Sequence, residues 1–280
     1  MGKPQREETM KSPNHAWLFD VDGVITHPEK KQVVRKGIFT EIIKRLKLGE
    51  PVALVTGRAL SWVMERVVNP LSSEIDDKTV LDRLFVSGEF GASRIQWKNG
   101  KPFHGIDSSI SLPKKLAEEA RKAAEAYKDT QHIDPDKETM VSIEMNDGLT
   151  VDEFRRNQLP LAKRLNEILA SQNAERKFEV HVDRIATNVR HKAINKHYAA
   201  QQVIRWLSKI GLSPKQFFAF GDSAGDREMA DELHREGKAV TFVFVGHKEE
   251  LGSKGKGYKT VITEEQCDDG TVEFLKSKES

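Results

Sequence analysis

Trp17-Leu18-Phe19-Asp20-Val21-Asp22-Gly23-Val24-Ile25-Thr26 is the stretch that decides how this chain is read. An apolar run of strand length stops at two aspartates one residue apart, and a glycine follows at once. A strand buried on both faces reads as a continuous apolar run. Ligands in open α/β sheets gather just beyond the carboxyl ends of such strands. Strand alternation puts Asp20 and Asp22 on one side, and Gly23 lets the backbone turn sharply. Two carboxylates this close repel unless a cation or a shared proton relieves them. Asp and Gly are also ordinary turn formers, so this stretch alone is compatible with a strand that merely ends in a polar turn.

Three further stretches count against that plainer reading. The apolar run Val52–Val55 leads into Thr56-Gly57-Arg58, and Phe217–Phe220 leads into Gly221-Asp222-Ser223-Ala224-Gly225-Asp226. A helix read over Lys192–Ile210 carries Lys192 and Lys196 four apart, hence on one face. In a parallel sheet these ends meet at one edge, so residues two hundred apart can share a site. Carboxylates converging there suit a magnesium ion, which prefers oxygen ligands, while a hydroxyl and an ammonium suit phosphate oxygens. The combination reads as phosphoryl transfer, with an aspartate as nucleophile.

The remaining segments give the organisation. Helical spacing covers Ile38–Leu46, and a helix over Leu60–Val68 is expected to close at Pro70. From about residue 91 the character changes to alternating, half-wet strands at Ser93–Lys98, Met140–Met145 and Phe178–Val182. Asn99-Gly100 reads as a hairpin turn. Helices are expected over Pro113–Lys128 and Asp152–Ala170, with Pro160 starting a new helix or kinking the second. Buried-strand style returns after residue 188, with a helix over Arg227–Glu236, a strand over Val240–Val245 and a closing helix near Thr271–Leu275. The expected architecture is a Rossmann-like, doubly wound parallel sheet core (15–90 and 189–280) with an inserted α+β cap domain (91–188) and a disordered lead-in over 1–14.

Composition bounds the function. A chain of 280 residues with 38% hydrophobic and 31% charged residues is a globular protein with a well-solvated surface. A formal charge of +2 gives no global reason to expect a nucleic-acid or membrane partner, and nothing in it speaks to an oligomeric state. The single cysteine, Cys267, excludes an intrachain disulfide and a cysteine cluster for zinc. Met1–Pro13 has no signal-peptide core, and no apolar run approaches a membrane span, so a cytoplasmic location is expected.

Asp-x-Asp-Gly-Val-Ile-Thr, Val-Thr-Gly-Arg, a helix-borne lysine and Gly-Asp-Ser-x-x-Asp are similar to the four motifs of the haloacid dehalogenase-like hydrolase superfamily. Their order and spacing resemble the subgroup with a large α/β cap after the second motif, which includes the Cof-like and sugar-phosphate phosphatases. The resemblance implies Asp20 as nucleophile and Asp22 as general acid, then base. Magnesium would be held by the Asp20 carboxylate, the Asp22 carbonyl, Asp222 and Asp226. Thr56 would hydrogen-bond the phosphoryl group, Gly57 would give backbone access, and Arg58 either contacts phosphate or pairs locally. Asn195-Lys196-x-x-Ala199 resembles the subgroup's lysine pattern, which selects Lys196 over Lys192, read as a solvated charge.

The sequence departs from the pattern where Glu89-Phe90-Gly91 replaces Glu-Asn-Gly, with loss of a polar contact at the cap hinge expected. Gly225 and Val24 also replace common residues. Asp183, Arg184 and Arg190 are read first as surface ion pairs, and His181 as facing solvent or a satisfied contact rather than a metal. The Lys254–Lys259 run is read as a solvated loop. The activity implied is a magnesium-dependent phosphatase for a small phosphorylated metabolite, with a sugar phosphate expected. A hexose phosphomutase, and a binding protein that has lost turnover, are the alternatives.

Overall fold

A computed structural model describes residues 13–252 and 257–278 of the chain. The expected lead-in up to residue 12, and residues 254–256 of the lysine run, lie outside the described residues. The large sheet contains β1 (His15–Asp20), β2 (Val52–Val55), β3 (Leu84–Gly88), β4 (Ser93–Lys98) and β5 (Lys101–Ile106). A smaller sheet contains β6 (Gln131–Ile133), β7 (Val141–Met145), β8 (Phe178–Val182) and β9 (Ala186–His191). Then β10 (Gln216–Gly221), β11 (Val240–Phe244) and β12 (Lys259–Ile262) rejoin the large sheet. Its order is β12-β11-β10-β1-β2-β3-β4-β5, parallel from β12 to β3, with β4 and β5 antiparallel.

Alternate side chains of the parallel strands feed two layers, as a doubly wound sheet requires. Trp17, Phe19, Leu54 and Phe220 pack beneath α1 (Lys36–Lys47). Leu18, Val55, Phe85 and Ala219 pack on the opposite layer. In-register neighbours stack across β1 and β10, with Trp17–Phe218 centroids 4.6 Å apart and Phe19–Phe220 centroids 4.5 Å apart. This aromatic ladder holds the two strands whose ends carry the aspartates.

Several local expectations change. The Leu60–Val68 segment is α2 (Leu60–Val63) followed by a π-helical stretch, Met64–Val68. Helix continues through Pro70 as α3 (Asn69–Ser73), directly after the π-helical stretch, whose wider turn alters the hydrogen-bond pattern just ahead of the proline. The hairpin β4–β5, read as part of the insert, lies in the large sheet: β4 pairs with β3 from Phe85↔Gln96 to Gly88↔Ser93. Alternation reported its one wet face correctly but could not say which sheet it joins. The smaller sheet, order β6-β7-β9-β8, is covered on one face by α4 (Lys114–Glu125) and α5 (Val151–Ser171). α5 runs through Pro160 without a break, with that residue on its exposed side and a Thr150–Glu153 capping box at its start.

The helix expected from Lys192 begins later, as α6 (Lys196–Lys209). Asn195 caps it, its side chain accepting from the Tyr198 N–H at 2.9 Å. Lys192 instead prolongs β9, its N–H donating to the Lys177 carbonyl at 2.9 Å, and it stands exposed. Two helices complete the fold, α7 (Arg227–Arg235) and α8 (Cys267–Lys276), the last starting earlier than expected. No helix among the described residues is long and apolar enough to cross a membrane.

Candidate active site

The carboxyl ends of β1, β2 and β10 open into one cleft of about 530 Å³. Asp20 ends β1 and is 7% exposed. The chain then turns tightly, with the Ile25 and Thr26 N–H groups both donating to the Val21 carbonyl at 3.0 Å. Gly23 has φ +73°, and a Cβ there would lie 2.1 Å from Asp222 Oδ2. Glycine suits the positive φ and leaves room for the Asp222 carboxylate, which a side chain here would push aside.

Beyond β10, Ser223 and Asp226 form a reciprocal cap over a single helical turn. Asp226 Oδ2 accepts from the Asp222 N–H (2.9 Å), the Ser223 N–H (2.8 Å) and the Ser223 hydroxyl (2.8 Å). Its other oxygen takes the Lys196 ammonium, which also donates to Asp20 Oδ1 at 2.6 Å. The lysine therefore joins the first and last motifs. The geometry places Lys196, and not Lys192, in this cluster. Lys196 stands at the start of α6, where its N–H donates to Glu228 Oε2 at 3.1 Å.

Oxygens of Asp20, Asp222 and Asp226 lie within 4.8 Å of one another. Burial pushes the Asp20 carboxyl up, against the pull of Lys196. Burial, reinforced by the charge of Asp20, pushes Asp222 up to about 6. Crowded, partly dehydrated carboxylates of this kind are relieved by a hard cation with oxygen preference, so the donor set fits magnesium.

Asp22 lines the same cleft but is not one of these three. Its carboxylate is held in a fork by Arg58, with Nε–Oδ2 and Nη2–Oδ1 both 3.1 Å, and Lys31 lies 3.6 Å away. Arg58 in turn stacks 4.9 Å from the centre of the Trp62 ring. Thr56 is buried, and its hydroxyl accepts from the Arg58 N–H at 3.1 Å. Phe90, the departure from the motif, closes over Gly57: a Cβ on Gly57 would lie 2.5 Å from Phe90 Cζ. An apolar contact thus occupies the place where a polar one is usual.

The opposite wall of the cleft comes from the open face of the smaller sheet. Val141, Ile143 and Val189 point to the helices, so Ser142, Glu144, Asn188 and Arg190 point into the cleft. His181 and Asp183 also line it, hydrogen-bonded to each other at 3.1 Å, and Arg190 is held by Glu179 at 3.1 Å. Arg190, His181 and Asp183 are thus paired, but Arg190 is buried and not a surface charge, and all three line the site. Ser142, Glu144, Asn188 and Lys137 were missed. Alternation across β7 and β9 was the available signal for the first three.

No family model and no curated protein matches the chain. Solved structures do. The C-terminal domain of a trehalose-6-phosphate phosphatase from C. albicans superposes with TM-score 0.65 at 15% identity, covering 94% of this chain and 92% of that one. A haloacid dehalogenase-like hydrolase from Bacteroides thetaiotaomicron gives 0.64 at 14% identity, covering 95% and 99%. A Plasmodium falciparum IMP-nucleotidase gives 0.56 at 13% identity, covering 95% and 68%. The chain has the haloacid dehalogenase-like fold: a Rossmann-like sheet with a second, antiparallel sheet placed over its carboxyl edge.

Proposed function

We propose that the chain is a magnesium-dependent phosphomonoesterase acting on a small phosphorylated metabolite through a phosphoaspartate on Asp20. The observation that carries this reading is the Lys196 bridge between Asp20 and Asp226, at the mouth of a cleft edged by Thr56 and Gly57. Asp20, Asp222 and Asp226, with the Asp22 carbonyl, would hold the ion, whose bound charge would offset that of the phosphoryl oxygens.

In the first half-reaction Asp20 attacks phosphorus, the new O–P bond forms, and the ester P–O bond breaks. Asp22, with one oxygen freed from the Arg58 fork and protonated, gives its proton to the leaving oxygen, so an alcohol departs. In the second half-reaction Asp22 takes a proton from water, whose oxygen attacks phosphorus. Inorganic phosphate leaves and Asp20 is restored. Lys196 and the Thr56 hydroxyl hold the transferring oxygens throughout. The segment carrying the smaller sheet acts as a cap that excludes bulk water when a substrate is bound.

A sugar phosphate is the substrate class best supported. Ser142, Glu144, Asn188 and Arg190 bring both donors and acceptors to the cap wall, as a polyhydroxylated leaving group requires. The likeness to trehalose-6-phosphate phosphatases adds to that support. The test is a phosphate-release screen over sugar phosphates, nucleotides and cofactor phosphates with magnesium. Turnover is expected on a sugar phosphate and lost in Asp20→Asn; an active Asp20→Asn would end the assignment.

A further inference from the structure

The loop Thr56-Gly57-Arg58 exposes three successive carbonyls beside the place proposed for an anion. Each is taken up. The Phe90 N–H donates to the Thr56 carbonyl at 2.9 Å, and the Glu89 N–H to the Arg58 carbonyl at 3.0 Å. The middle one, Gly57, accepts from the ammonium of Lys137, which comes from the segment between β6 and β7. Lys137 is almost fully buried, at 7% exposure. Among the described residues the ammonium's only hydrogen-bond partner is the Gly57 carbonyl, and no carboxylate lies within 4.0 Å of it. A buried cation with no carboxylate in contact is costly even with Glu89, Asp134 and Glu144 acting on it from farther off, so this placement calls for a role.

Two features fix it there. Glu89, fully buried, accepts from the N–H groups of Glu138 and Thr139, both at 2.9 Å, and from the Thr139 hydroxyl at 2.7 Å. The residues after Lys137 are therefore clamped to the large sheet's side of the cleft. The peptide whose oxygen Lys137 holds is also the peptide whose N–H, that of Arg58, donates to Thr56 Oγ1. In a trans peptide those two groups point in opposite directions. Fixing the oxygen fixes the N–H. With a lone pair of Thr56 committed to that N–H, the hydroxyl proton is the group left to give to a ligand.

We infer that Lys137 is a positioning residue of the phosphoryl-binding loop, supplied by the cap. Through the Gly57 carbonyl it sets the donor direction of the Thr56 hydroxyl, so the loop is complete only while the cap is in contact with it. The role rests on the proposed function of Thr56, but the following experiment separates the two.

Amide hydrogen exchange over Thr56–Arg58, and calorimetric binding of inorganic phosphate in the presence of magnesium, are measured on the full chain with Lys137→Met and Lys137→Arg. Lys137→Met is expected to speed exchange at Arg58 and to weaken phosphate binding by about tenfold, the loss of one charge-assisted hydrogen bond. Lys137→Arg is expected to restore most of both. Exchange and affinity within twofold of the parent in Lys137→Met would overturn the inference. So would an acceleration of equal size across β1 and β10, which marks a general prop. If the parent releases phosphate from no ester, the functional reading falls, while the exchange result still decides the positioning role.

Discussion

Arg58 grips Asp22 through both carboxylate oxygens, each at 3.1 Å, and holds that side chain outside the Asp20–Asp222–Asp226 oxygen cluster. A rigid fork of this kind fixes a carboxylate in one plane, which lysine cannot reproduce. If Asp22 is the proton donor, one of its oxygens leaves this fork to carry the proton, and Arg58 on the other sets where it is delivered. Arg58→Ala is expected to lower kcat/KM by about 10- to 100-fold, the worth of a hydrogen-bonded charge pair. Arg58→Lys should recover little of it. Steady-state phosphate release on the best substrate decides this, and unchanged kinetics in Arg58→Ala would remove Arg58 from the site.

Two glycines separate backbone strain from crowding. Gly23 and Gly49 both have positive φ, +73° and +77°, but a Cβ on Gly49 meets nothing within 4 Å. Gly49→Ala should therefore cost about 1–2 kcal/mol, the left-handed penalty alone. Gly23→Ala must also displace the Asp222 carboxylate, so it should cost more and lower magnesium affinity. Denaturant melts with and without magnesium test the pair; equal losses would show that the Asp222 contact carries no energy.

The pH dependence follows from Asp222, whose carboxyl sits near 6 in the folded protein against an ordinary 3.8, chiefly through burial. Between those values the folded state holds a proton that the unfolded state has released. Stability from this group is therefore full below about 3.8 and lost as pH rises through about 6. Above 6 the ionised group is a net cost in the metal-free protein, offset only in part by Lys196. Magnesium should raise the melting temperature by several degrees at pH 7.5 and progressively less as pH falls below 6. Calorimetric melts across that range check the trend, and a magnesium shift independent of pH would contradict it.

The parallel strands were legible because burial on both faces leaves an unbroken apolar run, as at Trp17–Phe19 and Phe217–Phe220. The polar residues just past them were legible because the strand direction places their ends at one edge. What stayed hidden depends on contacts between distant residues. Nothing near Asp134-Pro-Asp-Lys137 marks it as part of the site, since its partner is Gly57, 80 positions earlier. The start of α6 was misread for a local reason. Apolar spacing continues upstream of Asn195, with Ile194 fully buried, so periodicity ran past the cap that ends it.

That cap also yields the plainest contrast between neighbours. Lys192 is exposed at the end of β9, and Lys196 is joined to Asp20 and Asp226 at the start of α6. Lys192→Met should leave kcat within twofold and the melting temperature unchanged, as surface substitutions do. Lys196→Met leaves two buried carboxylates facing each other with their cation gone. Turnover should fall by about 100-fold or more, and the metal-free protein should melt lower, because a buried pair has been broken from one side. Magnesium should return part of that stability but not the turnover, since the ion neutralises the carboxylates without replacing the ammonium at the phosphoryl oxygens. A Lys192→Met loss equal to that of Lys196→Met would place the phosphate-binding lysine outside the cluster that the fold assembles.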